Sequence, residues 1–459
     1  MTTVTMCILG ASGDLTRRLL LPGLGTLLAR DPHRRVRIVG CDRTATSDAQ
    51  WQDKVVHAFT SAGVTDGPAL AEARQARWFT ADVTSADDMS RVLRELADSD
   101  PLVLYFALPP AVSQRAVQTL CTTGVPDGTQ LAFEKPFGGN LSGAVELNRT
   151  LLQLVPETSI HRVDHFLGRS TVLNLLSLRF ANRLFEPVWN AENVLRVEIV
   201  FDEKLTLEGR AGYYDHAGAM VDMLQSHLLQ VMAFAMMEPP ARVDEVDLRD
   251  ATTAVLRAAR PWGNDPAAAS HRARYSAGTI GGRQVPNYVD EDGVDPANDT
   301  ETLAQISVEI ANQRWAGVPV TLRSGKSIGS ARKQIIITFA TVRHVPQGLR
   351  GQDEPDQLLI DLDPDRIELR LTTNASDDAL RLRQSVLSAD LGTPQLRPYG
   401  EVLAGILDGD PTLTVRGDAA QECWRLIESF QQAWRDGEVP MQEYDAGSHG
   451  PTGWDPPTR

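Results

Sequence analysis

Cysteine is scarce in this chain, and positive charge is in the minority. Four cysteines (Cys7, Cys41, Cys121, Cys423) are scattered over 459 residues with no CxxC pair and no Cys/His cluster. That pattern argues against a disulfide framework or a zinc site, so no metal is expected and a reducing cytoplasm is the expected setting. No run approaches the roughly 20 apolar residues needed to cross a bilayer. The opening MTTVTMCILG carries no basic leader, and its apolar run is too short for a signal segment. Lys and Arg total 45 against 60 Asp and Glu, a formal net charge of −15. Neither nucleic acid nor an anionic membrane is therefore an expected partner. An anionic small molecule stays open, because a pocket needs only a few well-placed cations. Internal repeats are also missing.

What is present reads as a globular chain too long for one core. Apolar residues make up 42% and charged residues 23%, which sets two or more domains as the expectation. Val4–Leu9 is a short apolar run ending in Gly10-Ala11-Ser12-Gly13-Asp14-Leu15-Thr16, and a helical pattern follows through Leu28. Strand, glycine turn and helix open a dinucleotide-binding unit. Gly10 permits the tight turn, Gly13 lets backbone approach a pyrophosphate, and the helix N-terminus faces the anion. Strand-like runs recur at Val36–Val39, Trp78–Thr80, Leu102–Phe106, Leu131–Phe133 and Ser159–Val163, with helical patterns between them. This is the rhythm of a parallel sheet.

The second strand ends in Gly40-Cys41-Asp42-Arg43. An acid there takes the ribose 2′-hydroxyl of NAD, whereas a nearby arginine accommodates the 2′-phosphate of NADP. Both are present, and adjacent residues of an extended segment point opposite ways. NADP is the expected acceptor and NAD the alternative.

Later in the chain the pattern changes. Val194–Phe201, Gln305–Ile310, Val318–Leu322, Ile335–Phe339, Leu358–Leu362 and Ile367–Leu371 read as strands that no longer alternate with helices. They imply an α+β second domain on a large antiparallel sheet. The expected division is residues 1–164 for dinucleotide binding and 165–459 for substrate and oligomerisation. Trp262–Thr300 reads as a long ordered loop, and Tyr444–Arg459 as a partly disordered tail.

Candidate chemistry concentrates at the seam, RVDHFLGRSTVLNLLSLRFANRLFEPVW from Arg162 to Trp189. It gathers Asp164, His165 and Arg169 within six positions; Arg162 reads as a structural or surface charge. Downstream, the apolar helical stripe Met220, Met223, Leu224, Leu228, Val231 includes His227. A histidine in place of a packed leucine forgoes about 1–2 kcal/mol and needs a hydrogen-bond partner. With Asp164 accepting from one ring nitrogen, the other nitrogen becomes a general base. His165, Arg169 and Lys135, the last at the end of a strand in Glu134-Lys135-Pro136, offer cations for a phosphate. Glu208 and Asp222 suit sugar hydroxyls, while Lys326 and Arg332-Lys333 form a basic cluster after a strand.

Taken together, GASGDL, LYFALPP, EKPFGGNL, RVDHFLG, LEGRAGYYDHAGAMVDMLQSHLLQ, EDGVDP, RWAGVPVTLRSGK and YDAGSHGP resemble the glucose-6-phosphate dehydrogenase family over almost the whole length. The resemblance implies oxidation of glucose 6-phosphate at C1 by a Rossmann domain joined to a large mainly antiparallel sheet. It also implies a homodimer or homotetramer formed through that sheet. It makes His227 the base, paired with Asp164. Phosphate binding falls on His165 and Arg169, sugar contacts on Glu208 and Asp222, and further substrate contacts on Lys326 and Arg332. Lys135 would touch both ligands. On the cofactor side are Gly10, Ala11, Ser12, Gly13, Asp14 and Leu15, with Arg43 at the 2′-phosphate and Asp82-Val83 lining the adenine. The chain departs from the family at Leu19, where a lysine is usual and Arg17 or Arg18 would have to substitute. Phe166 stands for a tyrosine, Arg169 for a lysine, Val221 for an arginine, Ser226 for an asparagine and Asp42 for a small residue. Alternatives to the implied activity are another hexose phosphate or a free sugar as substrate, or a non-catalytic dinucleotide-binding regulator.

Overall fold

A computed structural model describes residues 3–99, 101–351 and 354–458. The first strand, β1 (Val4–Leu9), is buried along its whole length, as continuous apolar runs are when a parallel sheet is covered on both faces. With β2 (Val36–Asp42), β3 (Arg77–Thr80), β4 (Leu102–Phe106), β5 (Gln130–Glu134) and β6 (Ile160–Val163), it forms a six-stranded sheet in the order β3-β2-β1-β4-β5-β6. Every neighbouring pair is parallel. This is the Rossmann order, whose ligands sit beyond the carboxyl ends of the strands where the order reverses, here between β1 and β4.

The chain divides into two compact units, and neither is one continuous stretch. The first holds the residues up to Ser170 plus Pro240–Thr253 and Pro394–Trp424. The expected division at 164/165 is continuous and so differs from this one. The returning segments have physical reasons to join. Leu396, Tyr399, Val402, Leu403 and Ile406 complete the apolar core that covers β1. A Cβ on Gly168 would stand 2.2 Å from the Pro398 carbonyl oxygen, so the chain there must be glycine. Arg162, fully buried on β6, donates to Glu157 and to Asn148. Glu157 also accepts from Arg249 and from the Gly417 amide, and Asn148 donates to the Gly417 carbonyl. Arg162 is thus a structural charge, and it ties both returning segments to the sheet.

The second unit holds Thr171–Pro239, Ala254–Thr393 and the chain from Arg425 onward. Its strands are β7 (Val194–Asp202), β8 (Ala259–Pro261), β9 (Ser270–Ser276), β10 (Gly278–Ile280), β11 (Arg283–Val285), β12 (Leu303–Ile310), β13 (Val320–Gly325), β14 (Lys333–Phe339), β15 (Gln357–Leu362), β16 (Asp365–Asn374), β17 (Leu382–Asp390) and β18 (Met441–Asp445). A ten-stranded sheet runs β17-β16-β15-β14-β7-β13-β12-β9-β18, with β8 on β12. Its pairs are antiparallel except β7 with β13 and β9 with β18, which makes the expected large sheet mixed but mainly antiparallel. Two readings need correction. Trp262–Thr300 is not a loop: it contains β9, a member of the large sheet, and the small hairpin β10–β11. The polar sequence SHRARYS conceals a strand whose neighbours on both sides supply the pairing. The tail is packed as far as Trp454 rather than loose from Tyr444, since Tyr444 and Trp454 are both buried and the Trp454 carbonyl accepts from Gln305. Among the described residues, no helix is long and apolar enough to cross a membrane.

The helix of greatest consequence in this unit is wound unusually. Met220–Leu228 is a π-helix that passes into the α-helix Leu229–Met236. Its start is held by Glu301, 8% exposed, whose Oε1 accepts from the Met220 amide at 2.9 Å. The Glu301 carbonyl accepts from the Ala219 amide. The carboxylate reaches the amide because Gly218, at φ 62°, breaks the preceding helix; a Cβ there would lie 2.3 Å from Oε1. An anion at a helix N-terminus is favoured by the unsatisfied amides and the aligned peptide dipoles.

Two stability predictions follow from these buried charges. Arg162→Met leaves a cut charge network behind and is expected to lower the unfolding free energy by about 3 kcal/mol. Urea titration reads this as a lower midpoint at unchanged slope; a loss below about 0.5 kcal/mol would mean that the network is no stronger than a surface pair. Burial pushes Glu301 up to about 7, opposed by the Met220 amide and Arg272. A folded value above the unfolded one, about 4.3, stabilises fully below that pH, and the benefit is lost as pH rises through about 7. Between about pH 5 and 7, wild-type stability should therefore fall more steeply than that of Glu301→Gln, by up to about 1.4 kcal/mol per pH unit. Parallel curves for the two proteins would contradict the burial argument.

Candidate functional site

In the first unit the glycine turn is built as its sequence implies. Gly10 has φ 85°, and a Cβ there would stand 2.4 Å from the Ala107 carbonyl oxygen. Its amide and that of the buried Ala11 both donate to the Cys41 carbonyl, and the Gly13 amide donates to that of Gly10. This closes the turn over the carboxyl ends of β1 and β2. Leu15 packs against the core and so anchors the helix that follows. Asp14 accepts from Arg17 at 2.9 Å and from Arg18 at 3.2 Å. The Arg17 hydrogen bond leads the causes that hold its carboxyl below the usual range. Arg17 and Arg18 are thus paired locally, and Leu19 is exposed.

Asp42 closes β2 with its carboxylate turned to the turn, accepting from Ser12 Oγ at 2.8 Å. Arg43 is exposed. Asp82 lies one strand further out. Its Oδ1 accepts from the hydroxyl and amide of Thr84, which keeps the carboxyl low with help from Arg43, and Val83 beside it is buried. The turn, the bare backbone at Gly10 and the polar groups at the end of β2 fit a dinucleotide laid across the strand ends.

At the other side of the switch, Lys135 follows the last residue of β5. Glu134 beside it accepts hydrogen bonds from Tyr105 and Tyr399. Burial pushes Glu134 up to about 7, against the pull of both tyrosines and of Lys135. The Tyr399 ring stacks on His165 with centroids 5.3 Å apart. Asp164 is wholly buried and caps the short turn His165–Gly168, with Oδ1 accepting from the Phe166 amide at 2.9 Å. The Arg169 guanidinium lies 4.4 Å over the Phe166 ring. His165 and Arg169 are therefore basic side chains each held against an aromatic ring in this unit, and Lys135 stands beside the buried Glu134. The sequence shows Glu134 only as half of a charged pair with Lys135; its tyrosine partners Tyr105 and Tyr399 went unnoticed, because Tyr399 lies 265 positions from Glu134 and no local pattern ties the two.

In the second unit His227 is 2% exposed and Asp222 5%. Residues five apart stand on nearly opposite sides of an α-helix, but the wider i→i+5 winding of a π-helix brings them toward the same side. The winding of Met220–Leu228 thus gives Asp222 and His227 a common side, which an α-helical reading of the stripe misses. Ser226 Oγ donates to the Asp222 carbonyl within the same turn. Lys326 is buried to 8% exposure, with Nζ donating to Glu203 at 2.8 Å and lying 5.0 Å from the Tyr214 ring centroid. Arg332 is exposed, and its carbonyl accepts from the Asp202 amide, so both basic residues converge on the end of β7. Glu208 is an exposed carboxylate with φ 47°, 3.8 Å from Arg283.

Sequence comparison agrees with this geometry. Residues 7–174 match the family described as "Glucose-6-phosphate dehydrogenase, NAD binding domain", and residues 176–456 match "Glucose-6-phosphate dehydrogenase, C-terminal domain". The chain is 32% identical to a glucose-6-phosphate 1-dehydrogenase of Zymomonas mobilis, over 98% of this chain and 96% of that one. It is 35% identical to the enzyme of Gluconobacter oxydans, over 97% and 94%. A solved glucose-6-phosphate dehydrogenase in complex with its substrate glucose-6-phosphate superposes with a TM-score of 0.88 at 28% identity, covering 98% of this chain and 96% of the other. An oxidoreductase using a nicotinamide dinucleotide is what these matches and the Rossmann sheet jointly describe, and the chain belongs to the glucose-6-phosphate dehydrogenase family.

Proposed function

We propose that this enzyme oxidises glucose 6-phosphate at C1 to 6-phosphogluconolactone, the entry step of a pentose phosphate route, with NADP or NAD as acceptor. When bound, the nicotinamide ring supplies the hydride acceptor. His227 takes the proton of the C1 hydroxyl as the C1–H bond gives up its hydride, and the hydroxyl oxygen becomes the lactone carbonyl. Asp164 fixes the imidazole tautomer and steadies the imidazolium. Asp222 and Glu208 accept from sugar hydroxyls. His165 and Arg169 hold the phosphate, assisted by Lys326 and Arg332, each charge-assisted bond contributing about 1.5–3 kcal/mol. Lys135 serves both ligands. Gly10, Ala11, Ser12, Gly13, Asp14 and Leu15 receive the pyrophosphate, Arg43 meets a 2′-phosphate where one is present, and Asp82 and Val83 line the adenine.

The observation that carries this reading is a nearly inaccessible histidine on a π-helix that also carries a buried aspartate, in a chain whose two halves both match the family. A homodimer or homotetramer joined through the large sheet accords with its edge strand β17, where Val386 and Leu387 are 53% and 60% exposed. A cytoplasmic location accords with four free cysteines.

His227→Asn is expected to lower kcat at least about 100-fold while KM for glucose 6-phosphate stays within about threefold. Wild-type turnover in that variant would remove His227 from the base role. Comparing kcat/KM for glucose 6-phosphate and for glucose tests the phosphate pocket. A preference of at least about 100-fold for the phosphate is expected from two or more charge-assisted bonds, and a ratio near one would sink the pocket. Dinucleotide binding without reduction by any hexose phosphate would point to a non-catalytic regulator.

A further inference from the structure

The carboxylate that closes β2 occupies a position at which a dinucleotide must declare itself. Asp42 is the last residue of that strand, and the β1–β2 register sets Leu9 beside Cys41. The glycine turn leaving β1 therefore runs directly past Asp42. Its Oδ2 accepts from Ser12 Oγ at 2.8 Å and lies 3.4 Å from the Ser12 amide, while Oδ1 accepts from the Thr44 amide at 3.2 Å. The side chain is anchored at both oxygens and cannot swing aside without losing these bonds. It faces the turn, not away from it.

An ionised carboxylate offers roughly four acceptor positions and no donor. Ser12 and Thr44 leave acceptor capacity on both oxygens. The adenosine ribose, which rests beyond the end of this strand in a Rossmann unit, presents 2′- and 3′-hydroxyls. Two donors meeting free acceptor positions is a complementary arrangement. A 2′-phosphate reverses it: the donor becomes a cluster of anionic oxygens, which repels the carboxylate and gives it nothing to accept. Arg43 does not cancel this effect. It is exposed, and its field also reaches Asp82, one strand further from the turn. Its attraction for a 2′-phosphate is screened by solvent, whereas the Asp42 carboxylate is held beside the ribose position by Ser12 and Thr44.

We propose that Asp42 sets the choice of cofactor, receiving the ribose diol of NAD and discriminating against the 2′-phosphate of NADP, so that NAD is the preferred acceptor. The inference rests on the dehydrogenase reading above and replaces the NADP expectation with a geometric ground. Ser12 and Thr44 act through Asp42 by fixing its direction.

The test compares kcat/KM for NAD and NADP, with glucose 6-phosphate saturating, in the wild type, Asp42→Ala and Asp42→Asn. The wild type is expected to favour NAD at least about tenfold, and Asp42→Ala to shift the ratio toward NADP at least about 100-fold, with the NADP term rising in absolute value. Asp42→Asn, which keeps the shape and an acceptor oxygen but loses the charge, should shift it part of the way. A wild type that favours NADP, or variants with an unchanged ratio, would overturn the assignment. If the wild type reduces neither dinucleotide with any hexose phosphate, the dehydrogenase reading fails instead. Fluorescence titration of the same three proteins with NAD and NADP then decides the Asp42 proposal by the same ratio of affinities.

Discussion

A buried carboxylate holding one backbone amide sets the direction of the helix that carries His227. Glu301 binds the Met220 amide, and Gly218 leaves the room it needs. From that fixed start the chain winds with π spacing through Leu228, which places Asp222 and His227 on one side. An α-helix over the same residues would turn one of them away. π-helical segments tend to occur where function outweighs packing. Here the segment is also almost wholly buried, so its geometry is set by its surroundings rather than by exposure to solvent.

The first unit solves a different problem, the holding of cations and acids beyond the ends of parallel strands. Parallel order puts the ends of β1, β2 and β5 on one edge, and Gly10, Asp42 and Lys135 all stand there. Aromatic rings then pack against two of the basic side chains: Tyr399 against His165, and Phe166 under Arg169. Phe166 lacks the hydroxyl a tyrosine would bring, yet it offers a ring face to Arg169. A planar guanidinium uses such a face better than an ammonium does, so the changes at 166 and 169 accord with each other.

Much of this was legible in the sequence. Most strands of the parallel sheet announce themselves as short apolar runs, clearest in β1, β4 and β5, and the glycine turn follows the first of them; β6, Ile160-His161-Arg162-Val163, is legible only from its place in the rhythm. The catalytic candidates were legible as residue types in unusual company, such as His227 within an apolar stripe. What escaped has physical causes. The strand Ser270–Ser276 is polar and takes its identity from neighbours far along the chain. The returning segments 240–253 and 394–424 are held by Arg162, Glu157 and Gly168, and no local pattern reports contacts that span 92 positions in one case and 260 in another. The π winding escaped because periodicity assumes an α-helix. Asp42 was visible, but its direction was not: alternation along a strand does not say which of two adjacent residues faces the turn.

The account stands or falls on hydride transfer from C1. Wild-type enzyme supplied with glucose 6-phosphate deuterated at C1 should deliver one deuterium to the nicotinamide ring of the reduced dinucleotide, read by mass spectrometry, together with 6-phosphogluconolactone or its hydrolysed acid. Reduced dinucleotide without deuterium, or no reduced dinucleotide at all, would contradict it.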